Sequence, residues 1–353
     1  MTRRTFACAA VLAVAAVAAP AQPVEETVTV RCGEPGETIA AALETAADRL
    51  VVLVAGTCAE NVVIRRSDVT LAGASGDAST DRIVGVEPGL ATRAVVEVSD
   101  AARVRIEDLA IGGGMGPGLG AWRAEGLEVQ GCRLEGNRDS GGHFSLDSDV
   151  AVADTLFAGN VGFGARVQRG ARLTCSGCVF EDNGDFALSV GEAAKASVSS
   201  WAGRGVPVQS RLAGRLGLAC NDASTLLWDY GFVDTGYGAS SLALVAAGGC
   251  QARLFKAAMS GGITLRDKAL VELENVRIEP SPLRGHHLYG DAALRLDATV
   301  VIGDLWVHEF SKVMARGGTS ITGSLGCDSG GDAFRDPRVH LSGTVGGCPS
   351  WIP

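Results

Sequence analysis

A step of 23 residues recurs without insertion or deletion through the middle of the chain, and few folds can accommodate it. From Asp108 the same corner returns at Gly131, Asp154, Gly177 and Ser200. Ahead of it, Val104, Leu127, Val150, Leu173 and Ala196 form one apolar column, and Ile106, Val129, Val152, Cys175 and Val198 form another two residues on. After the corner come Leu109, Cys132, Thr155, Cys178 and Trp201, then Ile111, Leu134, Phe157 and Phe180. Alternation inside each copy marks short strands with one buried face, and repetition between copies stacks each on the next. The expected fold is an all-β coil of parallel strands. Asn137, Asn160 and Asn183 keep the same step at a point where the chain must turn. They read as left-handed turn residues whose amides bond neighbouring copies, not as ligands.

Arg3 and Arg4, an apolar run from Ala7 to Ala19, and the small residues Ala19, Pro20 and Ala21 read as an export signal over residues 1–21. The run is too short to span a bilayer. Thr2 to Phe6 also fit a twin-arginine pattern, so either export route is open. Residues 22–353 are then one exported domain without a membrane span, periplasmic or secreted. The formal charge of −9 disfavours nucleic acid as a partner, and anionic polysaccharide too unless a cation bridges it.

Nine cysteines follow the signal. Proximity along the chain pairs Cys32 with Cys58, Cys220 with Cys250, and Cys327 with Cys348. Cys132, Cys175 and Cys178 fall in apolar columns and are expected as buried thiols. A local disulfide between Cys175 and Cys178, or a metal at that pair, is the alternative.

Within residues 36–48, Ile39, Ala42, Leu43 and Ala46 share one helical face, suited to a lid over the open end of a coil. Beyond Trp201 the step becomes irregular, with longer copies anchored at Asp229, Lys256, Asn275 and Asp304, giving roughly ten coils in all. Residues 311–353, rich in Gly, Ser and Asp, read as a C-terminal cap.

Residues 36–73, followed by the regular copies, resemble the opening of secreted right-handed parallel β-helix proteins of the pectin-lyase-like superfamily. The resemblance implies an all-β, right-handed parallel β-helix with an N-terminal capping helix. It implies no single activity, because the superfamily includes lyases, glycoside hydrolases, epimerases and adhesins. Its enzyme motifs are missing: Gly142, His143 and Phe144 match a Gly-His-Gly only in part, and Arg335 to Arg338 do not reproduce the arginine segment of pectate lyases.

With Ala121, Phe144, Val167 and Val190 inward, the alternate positions face out. That puts Trp122, His143, Arg166, Gln168 and Asp147 on one face, suited to a sugar ring with an apolar face and a polar rim. The plainer alternative is an ordinary solvated face, or Trp122 folded under the glycine-rich run 112–120, itself read as a flexible loop. His286, His287, Tyr289 and Asp291, with Glu279 and His308, are the residues that could take a transition metal, but adjacent loop histidines seldom converge, and no metal or cofactor is expected. The leading expectation is a non-catalytic binder of polysaccharide or cell-surface glycan. The alternative is a polysaccharide lyase or glycoside hydrolase acting near His143 and Arg166.

Overall fold

The computed structural model describes residues 24–86, 94–199, 208–211, 216–234, 242–279, 285–328 and 330–349. The segment read as an export signal, and Ser200 and Trp201, lie outside these residues. Among the described residues, the strands form three parallel sheets of 14, 13 and 13 strands. One coil shows how they alternate: Val104–Glu107 lies in the first sheet, Ala110–Gly112 in the second and Leu119–Trp122 in the third. The 23-residue step sets the register, so that Leu127 pairs with Val150 and Val150 with Leu173. Thirteen or fourteen strands per sheet among the described residues make more coils than the roughly ten read from the sequence.

Alternation inside each strand puts one set of side chains into a continuous core. Phe157 and Phe180 stack there with centroids 4.8 Å apart, and Trp228 packs on Phe180. At the corner, Asp108, Gly131, Asp154 and Gly177 all take positive φ, the left-handed region that Gly and Asp tolerate best. Further on, the corner falls at Tyr230, Lys256, Asn275 and Ala298. The expected anchor Asp229 is thus one residue early. Asp304 belongs to a different corner, between Val300–Ile302 and Leu305–Val307.

The asparagines form the ladder expected of them, with one correction. Left-handed backbone falls on the residues before them, Gly136, Gly159 and Asp182, so the asparagines serve through their amides alone. Asn137 and Asn160 are joined by a 3.0 Å bond, and Asn160 Nδ2 also donates to Leu134 O across the coil. All three are buried. The run 112–120 is likewise no flexible loop, since Gly112, Gly114 and Gly118 are buried within the coil.

The helix at the open end is short, Ile39–Leu43, and buries Ile39, Ala42 and Leu43. Thr38 caps it by accepting from Ala41 N. Glu60 accepts from Ile39 N and Ala40 N at its start, while Arg66 donates to Leu43 O, Thr45 O and Ala47 O at its end. Both charges oppose the helix dipole correctly. At the other end, residues 312–346 supply strands to all three sheets, so most of the expected C-terminal cap is more coil.

Disulfides join Cys32 to Cys58, Cys220 to Cys250 and Cys327 to Cys348. A fourth joins Cys175 to Cys178, which corrects the expectation of buried thiols there. The corner at Gly177 folds the two strands back so that their Cα atoms lie 5.9 Å apart, within disulfide reach. Cys132 is the free cysteine among the described residues.

Candidate functional site

The three outer faces differ in how their side chains are used. On the first sheet, arginine and glutamate of adjacent strands pair directly, as in Arg105 with Glu128, Arg253 with Glu274 and Arg295 with Glu272. On the second sheet Arg82 reaches Glu135 two strands away, and Arg277 pairs with Glu279 within its own strand. Glu279 is therefore spent in an ion pair on another face, away from the histidines. Among the described residues, the third sheet carries ion pairs just past the strand ends, such as Arg123 with Asp100 and His308 with Asp328. Its outward column runs Glu97, Gly120, His143, Arg166, Ser189, Ala219, Val245, Thr264, His287, Trp306 and Gly326.

At the N-terminal end of this face, the structure brings together four of the five residues expected there. Trp122 lies over Gly120, where a Cβ would stand about 2.0 Å from the indole, so only glycine admits the ring at this position. The indole meets His143 edge to face at 6.1 Å. Arg166 pairs with His143 across the strands and rests over the Phe163 ring at 5.2 Å. Burial holds the His143 pKa below its usual value, reinforced by the Arg166 charge and opposed by Asp139 and a Gln168 hydrogen bond. Its Nε2 is enclosed without a partner. Asp147 stands apart, in the turn after the strand at positive φ and beside Gly170. Trp122 and His143 are half-buried, between the open platform and the folded-under ring that the sequence allowed.

The C-terminal end carries a second group. The two adjacent histidines part company: His286 points inward, 1% exposed, with Nε2 3.0 Å from Ile302 O, and burial lowers its pKa. His287 points outward. Tyr289 stacks on His308 of the next coil at 4.6 Å, with planes 6° apart. His287 lies 5.6 Å from His308 and near-parallel to it, and Trp306 continues the set at 16°. Arg266 sits against the Tyr289 ring, and Asp328 binds His308 Nδ1 at 2.9 Å. Trp306, 41% exposed, rests over Gly326 much as Trp122 rests over Gly120. Asp291 falls in the following turn, at positive φ. Trp306 and Asp328 were not legible as site residues, because the copies here no longer keep a constant step. Between the two groups, Ala219 and Thr264 are buried, so the polar and aromatic side chains gather at the ends.

Residues 90–201 match the family model for the right handed beta helix region, which spans the regular copies. Pectate lyase Pel9A is similar in structure at 10% identity and a TM-score of 0.44, over 92% of this chain and 77% of that one. The catalytic unit of a GH87 alpha-1,3-glucanase from Streptomyces thermodiastaticus gives 13% and 0.37, over 86% and 64%. The receptor-binding tailspike of bacteriophage Det7 gives 12% and 0.25, over 90% and 71%. No curated protein matches the chain. No helix among the described residues is long and apolar enough to cross a membrane.

Proposed function

We propose that this chain, a right-handed parallel β-helix protein of the pectin-lyase-like kind, binds glycan on the outer face of its third sheet without cleaving it. The observation that carries this reading is the contrast between faces. Two sheets spend their outer charges on each other, while the third keeps Trp122 and Trp306, each seated over a glycine and beside histidine. A tryptophan fixed against the backbone loses little freedom on binding, and its apolar face with a polar rim suits a sugar ring. The acidic balance of the chain favours a neutral polymer. Four disulfides fit an exported protein folding under oxidising conditions.

The cleaving alternative at His143 and Arg166 draws less support. His143 Nε2 is enclosed and Arg166 packs on Phe163, so neither is presented as a proton donor or acceptor. The test is affinity electrophoresis of the full chain in a panel of neutral and anionic polysaccharides, with ultraviolet detection of unsaturated products alongside. Retardation by a neutral polymer without product is expected, weakened in Trp122→Ala and in Trp306→Ala. Unaltered mobility in every polysaccharide would sink the reading.

A further inference from the structure

We propose that His287 and His308 form a two-imidazole site for a transition-metal dication such as Zn2+, Ni2+ or Cu2+. The rings come from neighbouring coils, and His287 Nδ1 stands 3.3 Å from His308 Nε2. Two nitrogens bound tetrahedrally to one ion at about 2.0 to 2.1 Å are separated by about that distance.

Asp328 decides the tautomers. Both of its carboxylate oxygens lie 2.9 Å from His308 Nδ1. An ionised carboxylate only accepts, so His308 carries its proton on Nδ1 and turns the Nε2 lone pair toward His287. The contact between the rings is then a hydrogen bond donated by His287 Nδ1. Moving that proton to His287 Nε2 leaves two lone pairs converging on one point, with no change in net protonation. A dication takes the place of the shared proton. A carboxylate behind a ligating imidazole is also the usual outer support of a metal site.

The neighbours fix the rings. Tyr289 stacks on His308 and lies near-parallel to His287, so neither imidazole is free to turn away. Arg266, against Tyr289, is the local charge that opposes a cation, and Asp328 offsets it. Among the described residues no three of His, Cys, Asp and Glu converge on one point. The remaining coordination positions therefore go to water or to a hydroxyl of a ligand. The site stands whether or not the face binds glycan.

The test is calorimetric titration of the untagged full chain with ZnCl2 and NiSO4. One ion per chain is expected. His287→Gln and His308→Gln should each weaken binding by about tenfold or more, and Asp328→Asn by about 10- to 100-fold, as for other outer supports. His340→Gln, on an exposed strand of the second sheet, should bind like the parent. Absence of saturable binding in the parent, or affinity unchanged from the parent in either histidine variant, would overturn the proposal. Should a variant fail to fold, electron paramagnetic resonance of the parent with one equivalent of Cu2+ decides. Nitrogen splitting from two imidazoles supports the site, and its absence overturns it.

Discussion

Asn160 Nδ2 donates to Asn183 Oδ1 at 2.9 Å, and the same oxygen of Asn183 accepts from Asn160 N at 3.2 Å. One side chain thus holds both the amide and the backbone of the coil beside it. Replacing the middle rung, Asn160→Leu, leaves polar groups of two neighbouring coils unpaired in the core. A loss of about 1 to 3 kcal/mol is expected from thermal or denaturant unfolding. An unchanged melting temperature would mean the ladder bears no load.

The helix lid should respond to Arg66→Ala. Its guanidinium serves three carbonyls at the end of the helix, and their loss should cost about 1 to 3 kcal/mol locally. Hydrogen exchange should quicken over residues 39–47 and stay unchanged in the regular copies.

Much of this was legible from residues 104–199, where a constant step lets columns be aligned by eye and inside told from outside. The disulfide between Cys175 and Cys178 was legible only as the alternative to buried thiols, because both positions look like core and only the folded corner shows how close they come. The group around Trp306 was not legible, since coils of unequal length hide which residues become neighbours. Trp122 and His143 were placed on the correct face, but not how deeply they sink into it. Depth depends on Gly120, whose missing side chain makes the room.

Gly326→Ala should push the Trp306 ring out of its seat, because the new Cβ would fall about 2.4 Å from it. The ring is the far end of a side chain, so folding should survive while tryptophan emission shifts. Glycan affinity should fall by about 0.5 to 1.5 kcal/mol.

Asp81 should make the molecule acid-sensitive near its N-terminal coils. Burial raises its pKa, but hydrogen bonds from Gly56 N, Ser75 N and Ser75 Oγ lower it more, and the net shift is downward. A carboxyl held lower in the folded chain contributes stability that is complete above its unfolded pKa. That contribution is lost as pH falls through the folded value. Asp81→Asn should be less stable than the parent at neutral pH, and the gap should close in acid. A constant gap across an unfolding series in pH would refute this.

Cys132 should resist thiol reagents until the chain unfolds, since burial pushes its pKa up to about 12. Peptide mapping after maleimide labelling should find no modified Cys132 in the folded protein, and full modification in denaturant.

Stacking in register turns the molecule into a ruler. Along the third sheet, Trp122 and Trp306 are separated by eight strand steps, each about 4.8 Å. An insertion between them that preserves register either lengthens a turn and leaves the separation alone or adds a whole coil, so their separation can change only in units of one step. A duplicated copy of residues 154–176 would move the two tryptophans one step farther apart while leaving the neighbours of each untouched. Whatever touches both is therefore measured by the number of turns the chain makes.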